Sequence, residues 1–462
     1  MPTIVNTRDQ PQHAFPADFT WGVSTAAYQI EGAAREGGRG ASIWDVFSHT
    51  PGKVARGETG DVACDHYHRW REDLTLLREL GVGAYRFSVA WPRWMPDGQG
   101  RVNRAGRDFY DRLVDGLAEI GVEPWLCLYH WDLPQALQER GGWASRDVVE
   151  CFGDYAAAVM QVLGDRVRHV AVLNEPNAVA VLGHLLGVHA PGLSDLGAYA
   201  AVTHHLNLAT GDTLARLRSE HGGWRLGTIL NLQPVVAAGD SAEDALAVEL
   251  LDAAWNGNHL DPLVDGRYPS ATEQLLAPAV RAGDMDRIRQ PLDWFGLNLY
   301  SQTRVAADPA SLIGLQIVDP PEQAETTAMG WEVAPDALSR QLLDAHARLG
   351  EVPIVVTENG AAYRDRPGPD LEVDDLARIH YLERHVREVA AARAAGVDVR
   401  GYFVWSLLDN FEWHEGYAKR FGLVYVDYAS QRRVPKRSFR WYQQLVRDGV
   451  VPAVGSDAVN QR

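Results

Sequence analysis

Two glutamates stand where a carboxylate is costly unless it is used or paired. Glu175 follows the apolar run Val167–Asn174, in Leu173-Asn174-Glu175-Pro176. Glu358 closes the run Ile354–Glu358, in Val356-Thr357-Glu358-Asn359-Gly360. Such a pair suits cleavage of a glycosidic bond. One carboxyl, protonated, helps the leaving oxygen depart; the other, ionised, attacks or stabilises the anomeric carbon. A separation of about 5–5.5 Å gives a covalent intermediate and retention of configuration. Either glutamate alone could be a salt-bridged structural residue, but the two together favour chemistry. Aromatic and amide residues crowd the same kind of position: Gln29, His130, Trp131, Asn174, Asn298, Tyr300, Trp405, Glu412 and Trp413. Sugars need hydrogen-bond partners for adjacent hydroxyls and a flat aromatic face for their C–H surface. The chain has 15 tryptophans, and Trp131, Trp331, Trp405 and Trp413 fall in this zone. Trp44, Trp70 and Trp441 read as core packing.

The elements that would position these residues alternate strand then helix. One helix starts after Asp65, a good N-cap, and stops at Gly81, with Trp70, Leu74 and Leu77 on one face. Another carries Phe109, Leu113, Leu117 and Ile120 and stops at Gly121. A third carries Ile379, Leu382, Val386 and Val389 and stops near Gly396. Eight apolar runs have strand length: near Trp21, then Ala84–Val89, Glu123–Tyr129, Val167–Asn174, Arg225–Asn231, Trp294–Tyr300, Ile354–Glu358 and Val399–Trp405. Continuous rather than alternating runs are those of parallel strands buried on both faces. Eight strand–helix units predict a single (β/α)8 TIM barrel occupying 1–462, with its core at about 15–445. Helix-to-strand links are short, while strand-to-helix links are long, roughly 26–64, 175–195, 301–335 and 406–437. The long links build the carboxyl face of a barrel, where active sites lie. Glu175 and Glu358 then end the fourth and seventh strands, nearly across the barrel mouth. A doubly wound open sheet would need a phosphate-binding first turn, and Gly37-Gly38-Arg39-Gly40 does not sit between a strand and a helix.

Composition excludes other classes. The chain carries 44 basic and 61 acidic residues, a formal charge of −17, which argues against a nucleic-acid partner and favours a neutral substrate. Cys64, Cys127 and Cys151 suggest neither a disulfide framework nor a metal site. No signal peptide or membrane-spanning run is visible, so a cytoplasmic protein is expected. The oligomeric state is not legible. A Schiff-base enzyme needs a lysine at a strand end, whereas Lys53, Lys419 and Lys436 lie in loops. His66 and His68 fall in the first turns of a helix, and His204-His205 point to different helix faces. Both pairs read as structural, and neither metal nor cofactor is expected.

The motifs together resemble glycoside hydrolase family 1, the family of β-glucosidases, over roughly Phe15 to Tyr442. They are Phe19-Thr20-Trp21-Gly22, Ala27-Tyr28-Gln29-Ile30-Glu31-Gly32, Tyr85-Arg86-Phe87-Ser88, Tyr129-His130-Trp131-Asp132-Leu133-Pro134, Asn174-Glu175-Pro176, Thr357-Glu358-Asn359-Gly360 and Trp405 through Trp413. The resemblance implies a retaining β-glucosidase acting on terminal β-D-glucosyl residues of β-glucosides and cello-oligosaccharides, with β-galactosides and β-fucosides within reach. It implies Glu358 as nucleophile and Glu175 as acid, then base. Gln29, His130, Asn174 and Glu412 would hold glycone hydroxyls, with Trp405 as stacking platform and Trp413 donating beside it. Arg86 and Tyr300 would contact Glu358 and keep it ionised, Asn298 would support that cluster, and Trp331 would lie at the aglycone entrance. Asn177 departs from the pattern, since many members have Trp there, and Val172-Leu173 stands where Thr-Phe is common.

Rivals remain within the resemblance. Phospho-β-glycosidases of the same family carry a small hydroxyl residue where this chain has Glu412, and a carboxylate there would repel phosphate. Sulfur-glucoside cleavers replace the acid/base glutamate by Gln, but Glu175 is intact. A non-catalytic sugar-binding barrel usually lacks one of the two glutamates, and both are present.

Overall fold

A computed structural model of the protein describes residues 14–454 except 221, 222, 312, 370 and 371. Eight parallel strands close into a barrel: β1 Thr20–Ser24, β2 Ala84–Ser88, β3 Glu123–Cys127, β4 His169–Asn174, β5 Arg225–Asn231, β6 Trp294–Asn298, β7 Ile354–Asn359 and β8 Val399–Trp405. Neighbours pair in chain order, and β8 returns to β1. All eight expected runs are barrel strands, and the fold is the expected TIM barrel. The short links close helices onto strands, as at Gly121, where φ is 72°.

The barrel is filled, not hollow. Trp125, Trp294 and Phe403 pack inside it with Ala84, Cys127, Ala171, Ile229 and Val355. Large rings face small residues, which is how a tapering interior is packed. Gly22 is one of those small positions: a Cβ there would lie 2.3 Å from the Phe403 ring. This plug fills the barrel interior below the carboxyl end, where Glu175 and Glu358 lie.

The outer helices bury the faces read from periodicity. Helix α1 (His66–Leu80) buries Trp70, Leu74 and Leu77, and α2 (Arg104–Glu119) buries Phe109, Leu113 and Leu117. The start of α1 differs from expectation in one respect. Asp65 occupies the N-cap position but makes no side-chain cap. Its φ is 52°, whereas a capping residue needs extended backbone; its carboxylate instead meets His68 Nδ1 at 2.5 Å and Arg69 at 3.3 Å. The long links hold short elements of their own. Val235–Ala237, Thr303–Ala307 and Leu315–Val318 form a small sheet beside the barrel mouth, and Val424–Asp427 pairs with Arg432–Pro435 in a hairpin.

Candidate active site

Both glutamates sit where a barrel strand breaks register. The β4–β5 pairing shifts between Ala171 and Asn174, and the β7–β6 pairing shifts between Val356 and Glu358. Such irregularities re-aim a side chain at a strand end. Glu175 then adopts a φ of 49°, and Trp131 and Trp413 also have positive φ. Non-glycine residues in that region cost about 1 kcal/mol or more and cluster at functional sites. Gly360 lets β7 leave the barrel: a Cβ there would meet the Trp405 carbonyl at 1.9 Å.

A chain of hydrogen bonds links the two carboxylates. Arg86 Nη1 donates to Glu358 Oε1 at 2.5 Å, and the Tyr300 hydroxyl donates to Glu358 Oε2. Arg86 Nη2 donates to Asn174 Oδ1, which also accepts from Asn298 Nδ2 at 3.1 Å. Asn298 Nδ2 reaches Glu175 Oε1 at 2.7 Å, and Thr357 Oγ1 donates back to Asn298 Oδ1 at 2.6 Å. Because Asn174 Oδ1 is an acceptor twice over, its Nδ2 must donate to His130 Nε2, 3.2 Å away. That places the imidazole proton on Nδ1. Burial and the Arg86 charge hold His130 well below the usual imidazole range, so it is neutral.

The two glutamates have different surroundings. Glu358 is paired with a guanidinium. Glu175 is not, and burial followed by the Glu358 charge pushes it up to about 8. Amide donation from Asn298 and Asn231, with Arg86 beyond, pulls against that rise. At neutral pH one carboxyl is therefore held protonated beside one held by a cation, the division of labour that glycosidic cleavage needs. Burial and Glu358 also hold the Tyr300 hydroxyl protonated, so it stays a donor.

Glu175 and Glu358 open into a cavity of about 490 Å³, lined also by His130, Tyr300, Trp331, Trp405, Glu412 and Trp413. Gln29, Arg86, Asn174 and Asn298 are fully buried behind that surface. Gln29 Nε2 donates to Asn410 Oδ1, to the Phe411 carbonyl and, at 3.4 Å, to Glu412. Glu412 is pushed up to about 8 by burial and by Glu358, Glu415 and Glu175, in that order, with Gln29 pulling down. Trp413 lies between Trp131 and Trp44, with ring centroids 4.5 Å from each, and Trp405 stacks on His130 at 5.7 Å. Trp44, Trp70 and Trp441 are buried, as their packing role requires. The loop carrying Glu412 and Trp413 is tied to the scaffold by buried ions: Lys436 bridges Asp365 and Asp409, and Arg420 meets the other Asp409 oxygen at 2.7 Å.

The outer cavity has two unlike walls. Leu182, Val235, Leu251, Trp255, Ile317 and Val318 are apolar, while Gln302, Arg304 and Glu332 form a hydrogen-bonded polar rim. Trp331 stands at this outer end, 5.6 Å from the Tyr300 ring. Sequence reasoning missed these walls and also missed Asn231, which donates to Glu175 Oε1 at 3.1 Å. The available signal was that Asn231 ends β5 as Asn174 ends β4 and Asn298 ends β6.

The histidines read as structural have protein partners. His66 meets Asp73 at 2.7 Å, His204 lies between Tyr268 and Asp284, and His205 meets the Trp143 carbonyl. Among the described residues, no group of three or more His, Cys, Asp or Glu could hold a metal ion.

The model of Glycosyl hydrolase family 1 matches residues 11–450. The chain belongs to that family. It is 50% identical over 445 residues to thermostable β-glucosidase B of Thermobispora bispora, covering 94% of this chain and 91% of that one. It is 46% identical to the bifunctional β-D-glucosidase/β-D-fucosidase of Bifidobacterium breve, covering 94% and 98% of the two chains. The solved β-glucosidase of Thermotoga maritima in complex with deoxynojirimycin superposes with a TM-score of 0.91 at 42% identity, covering 95% of this chain and 100% of that one. As a family 1 member the protein is a glycoside hydrolase. Among its described residues no helix is long and apolar enough to cross a membrane.

Proposed function

We propose that the protein is a retaining β-glucosidase that releases glucose from the non-reducing ends of β-glucosides and cello-oligosaccharides. The observation that carries this is the asymmetric pair: Glu358 is ion-paired to Arg86, and Glu175 is buried without a cationic partner and raised to about 8. Glu358 attacks the anomeric carbon while Glu175 gives its proton to the glycosidic oxygen. The carbon–oxygen bond breaks and a glycosyl ester of Glu358 forms. Glu175, now ionised, takes a proton from water as that water attacks the anomeric carbon and frees Glu358.

Glucose would rest against Trp405 with its hydroxyls toward His130 and Glu412, and with Gln29 and Asn174 acting from behind. The relatives' names support the glucoside assignment and bring β-fucosides within range. Glu412 weighs against 6-phosphoglucosides, because a buried acidic carboxyl beside Glu358 and Glu175 offers a phosphate no cation, and the phosphate's own charge would oppose ionisation of that group. Both glutamates are present and tied into one network, which weighs against a non-catalytic sugar-binding barrel. The reading treats 1–462 as one catalytic unit, and the family match over most of the chain supports this. Action on cello-oligosaccharides would place the enzyme at the last step of cellulose breakdown. A reducing, cytoplasmic setting fits three buried cysteines that are all free.

The test is hydrolysis by the purified protein of nitrophenyl β-glucoside, β-galactoside, β-fucoside and 6-phospho-β-glucoside. The glucoside should be cleaved well and the phosphorylated one poorly. Preference for the phosphorylated substrate, or failure on all four, would sink the assignment.

A further inference from the structure

Each of the three strand ends around Glu175 presents an asparagine. Asn174 and Asn298 belong to the network that reaches Glu358; Asn231 does not. Asn231 Nδ2 donates to Glu175 Oε1 at 3.1 Å, the same oxygen that takes Asn298 Nδ2 at 2.7 Å. Among the described residues no side-chain donor reaches Oε2. An oxygen accepting two N–H bonds is a poor place for a proton, so the acidic proton belongs on Oε2.

Asn231 is itself held from behind. Its main-chain carbonyl accepts Asn177 Nδ2 at 2.7 Å and Trp255 Nε1 at 2.8 Å. Asn177 is fully buried in the short helix Pro176–Ala180 that Glu175 begins, and Trp255 lies in the turn Ala253–Gly257. The position at which this chain departs from the family pattern thus braces the strand end that meets the acid/base.

We infer that Asn231 is a positioning residue for Glu175. With Asn177 and Trp255 anchoring its peptide, it turns the carboxyl so that Oε2 delivers and recovers the proton. The inference rests on the proposed acid/base role of Glu175. The other charged or titratable groups facing Glu175 are Glu358 on β7, Arg86 on β2, Tyr300 after β6 and Glu412 after β8. Asn231 is hydrogen-bonded to Glu175, Asn177 and Trp255 and to none of these four. An amide N–H favours the ionised carboxyl over the neutral one. Its loss should therefore move the basic limb of the pH profile upward.

The experiment measures kcat/KM against pH for wild type, Asn231→Ala, Asn231→Asp and Glu175→Gln. It uses methyl β-glucoside, whose small aglycone leaves little to contact Asn231, and a dinitrophenyl β-glucoside, whose leaving group needs no proton. Asn231→Ala should raise the basic limb by roughly one unit and cut the methyl glucoside plateau about tenfold. The dinitrophenyl glucoside should change by less than about twofold. Asn231→Asp keeps the shape but adds a second carboxyl, and should raise the limb further. A folded Asn231→Asp variant with an unmoved limb would overturn the inference, as would equal losses on both substrates. Glu175→Gln separates the two levels. If it keeps wild-type activity on methyl glucoside, the acid/base reading itself fails and takes the inference with it. If it loses that activity while both Asn231 variants keep the wild-type limb, only the role of Asn231 fails.

Discussion

Replacing Glu358 by Gln removes one negative charge and should lower the Glu175 pKa. Burial is the first cause of the elevation to about 8, and the Glu358 charge is the second. At the about 5.5 Å separation of a retaining pair and an effective dielectric of about 20, Coulomb's law gives about 3 kcal/mol, or about 2 pKa units. Glu175 should then titrate near about 6 in Glu358→Gln, still above an ordinary carboxyl because burial remains. The titration can be followed by carbon-13 NMR of labelled glutamate carboxyls, with Glu175→Gln identifying the resonance. A shift of less than about half a unit would refute the coupling. The same loss of charge occurs when Glu358 becomes a glycosyl ester. The experiment therefore tests whether the first step converts Glu175 from acid to base.

Other expectations are sharp. Glu175→Gln should cost about 10²–10⁴-fold in kcat/KM on alkyl β-glucosides, the usual contribution of general acid–base catalysis, and far less on dinitrophenyl β-glucoside; equal losses on both would contradict the acid role. The same variant should be more stable than wild type at neutral pH. The folded pKa of about 8 lies above the unfolded value of 4.5, so the folded state holds the extra proton and wild-type stability declines as pH rises between the two. The stability gap should be on the order of 3 kcal/mol at pH 7 and should shrink toward pH 5; denaturant unfolding that shows a constant gap would contradict this. Glu412→Gln replaces a buried, mostly protonated carboxyl by an amide with a different donor and acceptor pattern and should cost about 2–10-fold on the glucoside. It should cost less on the fucoside, which lacks one hydroxyl, and parallel losses would show that Glu412 does not read that difference.

The barrel was legible because its strands are apolar on both faces, so each appears as an unbroken run. The two glutamates were legible for the same reason: a charge at the end of such a run is conspicuous. The short sheet at the mouth was not. Val235–Ala237 and Thr303–Ala307 are largely half-buried, so neither a continuous nor an alternating pattern marks them. Asp65 shows a second limit, since residue type suggested a cap that its left-handed backbone does not make. Asn231 was missed because an amide that closes the run Arg225–Asn231 is less conspicuous than a carboxylate. Its partner Glu175 is 56 residues away in sequence, and no local spacing reveals the bond.

The central claim is a double displacement at Glu358 with Glu175 as acid and base. Proton NMR of the earliest glucose released from nitrophenyl β-glucoside tests it most directly. The account predicts β-glucose first, followed by slow mutarotation to the α anomer. Appearance of α-glucose first would remove Glu358 from the nucleophile role.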